Sequence, residues 1–239
     1  MSLPNTIYAA SELAVHKTTY DTEKFDVGQK LEYADSRKYR FALAGELLVK
    51  GELLEGEQIT TEDDLTPTAT AVGATAITAT TTGTEAADYY KGGYAVVATT
   101  PGLADLYKLG THLLLTSGAG DVFNLADETI LVALTTASRV SILRNPWKGL
   151  ISLATTALGW CAGVAVSLIP SAEWGWVQTG GPAACLAGGA DIEGVAFAAS
   201  DNSAGLGITA DADSEFVIGQ VMLGGDGDGK ANIVFLTID

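Results

Sequence analysis

The stretch "GGDGDGKA", Gly224 to Ala231, holds the residue types that cradle a phosphate. Gly224, four residues, Gly229 and Lys230 match most of GxxxxGK[ST], in which backbone N–H groups and the lysine hold the anion. Three features oppose that chemistry. Ala231 stands where a Ser or Thr hydroxyl would hold magnesium, Asp226 and Asp228 would repel phosphate, and a strand-like "NIVFLTID" comes next in place of a helix. The stretch therefore reads as a hairpin loop. Its Asp-Gly-Asp-Gly also offers oxygens to calcium, but no bidentate Glu stands at the needed distance, and Gly and Asp serve tight turns equally well. Gly205-Leu206-Gly207 with Ala210 matches a dinucleotide fingerprint, but in an Ala/Asp-rich region that does not lead from a strand into a helix.

Nucleophilic chemistry has less to work with. The two histidines are His16, in a charged stretch, and His112, beside the apolar "LLLT" and read as a strand residue near the surface. Neither lies near a recognisable nucleophile, and there is no GxSxG. Cys161 and Cys185 stand 24 apart in apolar, Gly-rich surroundings. That spacing matches no zinc site; it leaves a disulfide open, but nothing marks the chain as secreted, so two buried free thiols are expected, and without basic neighbours neither is activated. A glycosidase-type carboxylate pair cannot be placed from spacing. In "EWGWVQTGGPAA", Trp174 and Trp176 could stack on a sugar. Residues two apart on a strand face one side, however, so both rings are expected in one core or interface, with Gly180-Gly181-Pro182 ending the strand. No catalytic, metal-ligating or cofactor-binding residue is assigned, no cofactor is expected, and the chain reads as no enzyme.

The positioning elements must come from a 239-residue chain with net charge −16. Such a chain buries one large core or two moderate ones. Its acidity disfavours nucleic acid, which needs a basic patch to neutralise phosphates. The densest basic cluster, Arg37, Lys38 and Arg40, sits among acids. Residues 150–239 carry one base, Lys230, and ten acids. "MSLPNTIYAASE" lacks the basic and apolar regions of a signal peptide. Gly149 to Ile169 is uncharged over one bilayer span, but its Ser, Thr and Gly content and the loop-like "ATTALGW" favour two short strands around a turn. No membrane partner is expected.

The sequence reads as three zones: an arm at 1–24, a β-rich domain at 25–144 and a β-sandwich or barrel domain at 145–239. Thr- and Val-rich runs such as "AVGATAITATTTG" favour strands. In the last zone apolar runs recur about every ten residues between Gly, Asn and Asp clusters, as in a sandwich or barrel. The fold class is all-β, built of short-stranded sandwich or barrel domains. At most one or two short helices are expected, in "AASELAVHK" and "TPGLADLYKLG".

Together, "NPWKGLIS", "EWGWVQTGGPAACL" and "NIVFLTID" resemble a family of capsid decoration (cement) or minor head proteins of tailed bacteriophages, cyanophages and other aquatic phages especially. Its members carry an NP-aromatic-x-G-aliphatic step, a YGW-(V/I)-QT-x-GPA segment and a chain end like VFLxID. These map onto Asn145, Pro146, Trp147 and Gly149; Trp174 to Thr179 with Gly181, Pro182 and Ala183; and Val234 to Asp239. Trp174 replaces the family's Tyr. Val27 to Gly45 and Tyr89 to Val97 match two further steps, with Asp35-Ser36-Arg37 in place of the usual Asp-Gly-Arg. Coverage is about residues 25–239.

The resemblance implies a homotrimer on the outer face of an icosahedral head, made in the host cytoplasm, that clamps neighbouring major capsid subunits. Within that reading the arm is expected to grip the capsid through Tyr8, Lys17, Tyr20 and Lys24, ordering only there. Trp147, Trp174 and Trp176 are expected in the core or the trimer seam. The alternatives are another virion β module (tail, fibre or receptor-binding) and a carbohydrate-binding domain.

Overall fold

Successive side chains of a strand point to opposite faces, so a strand apolar on both faces must separate two cores. Lys38–Ala44 (β3) is such a strand: Tyr39 and Phe41 are buried on one face, Ala42 and Ala44 on the other. The computed structural model describes residues 6–9, 14–56, 62–156, 159–210, 216–225 and 227–239. The chain is all-β, and among the described residues the one helical turn is a 3-10 turn at Val15–Lys17.

The chain divides into two units, residues 1–58 with 147–239, and residues 59–146. This differs from the zones read along the sequence. Residues 25–56 belong with the carboxyl-terminal part because β3 pairs along its length with Trp174–Leu186 (β12). The smaller unit is an insertion between Leu53–Glu55 (β4) and Lys148–Ser152 (β10).

In the larger unit, β3, β10, β4, Cys161–Ala165 (β11) and β12 close into a ring, with β12 returning to β3. One core cluster takes a side chain from every strand of the ring, including Ala42, Leu150, Leu54, Ala162 and Val177. Barrel width grows with strand number, so a five-stranded ring has room mainly for small side chains, and alanines supply them. The uncharged stretch from Gly149 to Ile169 contributes β10 and β11, two short strands as expected.

Strand β12 does not end at Gly180-Gly181-Pro182 as the sequence suggested. It is 13 residues long, runs on to Leu186 and changes partners at this step. Trp174–Gly180 pairs with β3, slipping register between Gln178 and Gly180, while Gly180–Leu186 pairs with Ala231–Thr237 (β16). One extra residue in a strand bends it and re-aims the remainder of the strand. Gly181 sits at φ +74°, where a Cβ would lie 2.5 Å from the Ser36 carbonyl oxygen. Beyond the bend the sheet continues through β16, Val217–Leu223 (β15), Ala196–Ala199 (β13) and Gly207–Thr209 (β14). A second core lies on this part, with Phe197, Ile218, Val234, Cys161 and Cys185.

The third core lies on the outer face of β3 and holds Leu31, Tyr33, Tyr39, Phe41 and Trp176. The amino-terminal segment covers it. Thr6–Ala9 (β1) adds in parallel to Lys30–Tyr33 (β2), and Ile7, Val15 and Tyr20 pack on the cluster. Tyr20 and Trp174 exchange backbone hydrogen bonds of 2.8 and 2.9 Å. The arm's described residues are therefore ordered on their own fold, because the aromatic face beneath them would otherwise meet water.

In the inserted unit, Ala76–Thr80 (β5), Gly120–Leu125 (β8), Leu106–His112 (β7), Tyr94–Val97 (β6) and Val140–Leu143 (β9) form a sheet in that order. Bridges from Leu65 to Val140 and from Pro67 to Ala79 link its two edges around one core. The helix expected in "TPGLADLYKLG" is strand β7. Tyr107 and Leu109 are buried while Leu106 and Lys108 are exposed, a period of two, and Gly102 and Ala104 at positive φ bar a helix.

Gly181→Ala should cost about 2 kcal/mol or more in urea unfolding, while Gly189→Ala, with open space at its Cβ, should stay within about 0.5 kcal/mol. Removing residues 1–24 should lower stability by roughly 3 kcal/mol or more through exposure of the aromatic cluster; an unchanged unfolding midpoint would show that the arm does not support the fold.

Candidate functional site

Most groups with chemical potential are committed to structure. His112 is buried at the end of β7, not near the surface. Its Nε2 accepts the Tyr90 backbone N–H at 2.9 Å, so Nδ1 carries the proton and donates to the Leu113 carbonyl at 2.7 Å. A seven-residue strand with an apolar flank pulled the ring inward, and the backbone satisfied both nitrogens. Cys161 and Cys185 are free and buried in one core. Burial pushes the Cys161 thiol up to about 12 and the Cys185 thiol higher still, so neither supplies a thiolate. Two buried carboxylates, Glu55 and Glu62, accept backbone N–H groups: Ala154 and Gly159 for Glu55, Thr82 and Gly83 for Glu62.

The "GGDGDGKA" stretch joins β15 to β16, as a hairpin loop should; Asp226 lies outside the described residues. Asn232 fastens it, accepting the Gly225 N–H and donating to Asp191, which also accepts the Thr209 N–H. Among the described residues no group of three or more His, Cys, Asp or Glu side chains is placed to hold a metal ion. Also among them, no helix is long and apolar enough to cross a membrane. A shallow hollow of about 230 Å³ in the inserted unit brings Ser141 to Asp63, but the serine hydroxyl donates to that carboxylate and no histidine is among the described residues that line the hollow.

One cavity, of about 390 Å³ in the larger unit, differs in character. Its floor is the outer face of β12, through Gln178, Pro182, Ala184 and Leu186. The 3-10 turn brings His16 and Lys17, the β2–β3 hairpin brings Arg37, and the approach to β4 brings Lys50. Arg37 is aimed by its hairpin: Ser36 takes a left-handed φ of 71°, the Asp35 carboxylate accepts Arg37 Nε–H at 2.7 Å, and the guanidinium lies 5.0 Å from the Tyr33 ring. No Asp or Glu is among the described lining residues. Neither Lys17 nor Lys50 has an ion pair among the described residues. A chain of net charge −16 thus gathers three cations and a histidine around one concavity.

His16 is the deep wall of the cleft. Its ring lies between Tyr33 and Tyr39, with centroids 5.1 and 4.9 Å away, and Nδ1 shares a 2.9 Å hydrogen bond with the Tyr33 hydroxyl. Burial, then repulsion from Arg37 and Lys17, lowers its pKa to about 4. Burial also lifts the Tyr39 hydroxyl to about 12. At neutral pH the cleft therefore offers a neutral aromatic wall with cations at its mouth.

Of the residues expected to contact a partner, Tyr8 is 77% exposed, and Lys17 and Lys24 are exposed. Tyr20 is half-buried, its ring against Phe25 and Phe41. Trp176 is fully buried, Trp174 packs half-buried on the same cluster, and Trp147 packs half-buried on the barrel core. Reading the sequence missed Lys50 and the convergence at Arg37. The three basic residues of β3 and its hairpin go separate ways. Arg37 reaches the cleft, while Arg40 Nε and Lys38 Nζ donate to Asp239 at 2.7 and 3.0 Å. The Arg40 bond holds the Asp239 carboxyl below its usual range.

Beyond the cleft the same sheet face is uncovered and mainly apolar, with Gln220 opposite Phe235. In register across three strands, Ala184 opposes Ile233, which opposes Leu223, and Pro182 opposes Phe235. Ile233, Phe235 and Leu223 are 40–52% exposed. No family model, curated protein or solved structure matches the chain.

The depressed His16 pKa has a definite sign. As pH falls from about 6.5, the unfolded imidazole takes a proton that the folded ring refuses until about 4, so stability declines across that window and is flat above it. NMR titration of the His16 ring should give a midpoint near 4, and the wild type should lose more stability from pH 6.5 to 4.5 than His16→Gln. A midpoint near 6.5 would contradict the burial.

Proposed function

We propose that the chain is a capsid decoration protein of a tailed bacteriophage, a homotrimer on the outer face of the head that binds the major capsid subunits and does no chemistry. The observation that carries this reading is the apolar face of β12, β16 and β15. Contiguous exposed apolar surface on a strongly acidic chain marks a place of protein contact. On this face a small residue, Ala184, lies between larger apolar ones, which lets another backbone approach closely.

The segments that carry the resemblance support it. Three of the five lie wholly in the larger unit and a fourth enters it at Trp147: β3 pairs with β10 and β12, and β12 pairs with β16. Arg40 joins three of them, stacked 4.8 Å over Trp147 and bonded to Asp239. The mechanism is mechanical: many weak contacts repeated over a lattice raise the barrier to rupture under internal DNA pressure. The excess of acid keeps such a protein off the packaged DNA.

Cryo-electron microscopy of virions containing the chain should place it on the head, in copies set by the capsid lattice. Light scattering should give a trimer, on the head or in solution. Phe235→Asp should keep the fold but weaken trimer or head binding at least tenfold. Density confined to a tail or fibre, or full head occupancy by Phe235→Asp, would sink the reading.

A further inference from the structure

We infer that the cleft over β12 is a receptor for an acidic peptide segment, taking a carboxylate between Lys17 and Lys50 and its apolar neighbour against the β12 floor. Charge complementarity selects the occupant. Three cations line one concavity in a chain of net charge −16, and no described lining residue is a carboxylate. The two lysines are exposed and have no ion pair among the described residues, so their charges are available.

The walls narrow the class further. Ala165, Val166, Pro182, Ala184 and Leu186 are apolar, so an inorganic anion would leave most of the cavity unfilled. A phosphate is best held by a bidentate guanidinium, and the one among the described lining residues, that of Arg37, already gives its Nε–H to Asp35. Two point charges over an apolar floor remain, and they suit a carboxylate on an apolar body. His16 fits this role without a proton: a neutral ring between two tyrosines is a surface to pack on. The cleft also opens toward the uncovered face, since Ala231 lines it and shares the outward side of β16 with Ile233 and Phe235. An extended peptide seated by its carboxylate can therefore continue along β16. That continuity favours a polypeptide over a free small acid. The inference stands on the cleft itself and does not need the virion assignment.

The test uses the full chain labelled with ¹⁵N and two hexapeptide mixtures, capped at both ends, with Ala, Val and Leu varied around a central Asp or a central Asn. The Asp mixture should shift the amide signals of Gly51, Ala184 and Ala231, with binding at least tenfold tighter than the Asn mixture and weakening as salt rises. Lys17→Gln with Lys50→Gln should abolish the difference while leaving the unfolding midpoint unchanged. Equal binding of both mixtures, no binding of either, or full binding by the double variant would overturn the inference. Sodium hexanoate is the third probe. If it saturates the cleft as tightly as the Asp mixture, the site takes free acids and the peptide reading fails.

Discussion

Strand β12 serves two sets of backbone partners, and Gly181 is where it passes from one to the other. Its first half closes the five-stranded ring against β3; its second half begins the outer sheet with β16. A strand can do both only if it bends without losing its hydrogen bonds. The register slip at Thr179 and the left-handed backbone at Gly181 provide the bend, and the Gln178 amide donates to the Gly180 and Pro182 carbonyls across it. All three cores of the larger unit meet this strand, through Val177, Cys185 and Trp176.

The cleft is a by-product of that bend. A flat strand would let its neighbours cover it evenly. Here the outer face of β12 turns from the aromatic cluster at Trp176 to the open sheet at Ala184, and the 3-10 turn and Lys50 stand over the step. The amino-terminal segment thus has two duties. Its apolar side chains shield the aromatic core, and its polar ones, His16 and Lys17, furnish the cleft. Removing it would disturb both, so an effect on partner binding would have to be separated from an effect on folding by point substitutions.

The fold class was legible from local pattern. Short apolar runs between Gly and Asp clusters become strands, and the Asp-Gly loop becomes a hairpin whose side chains fasten backbone. Most of the readings that failed depend on distant pairing. "GGP" reads as a stop, because nothing local says that β3, far earlier in the chain, waits to pair on one side of it and β16 on the other. "LYKLG" has a period of two that a nearby Leu-Ala-Asp obscured. The placement of the two tryptophans on one face was readable, since it needs only strand geometry. The cleft was not, since His16, Arg37, Lys50 and β12 are brought together by the closure of the ring. Adjacent basic residues read as one cluster, yet the strand's alternation sends Arg37 one way and Lys38 and Arg40 another.

The insertion between β4 and β10 bears on how the chain reaches this state. Ile151 pairs with Glu55, so closing the ring means closing a loop of about 95 residues. The inserted unit ties its own ends together: the Ile142 N–H donates to the Glu62 carbonyl at 2.8 Å, and Leu65 pairs with Val140. Once it has folded, the loop left to close shrinks to roughly 16 residues, which lowers the entropic cost by about 1.5 kcal/mol. The insertion then acts as a clasp in time as well as in space. Folding it first turns the long-range pairing of β4 with β10 into the closing of a loop of moderate length, and the insertion leaves the ribosome ahead of β10.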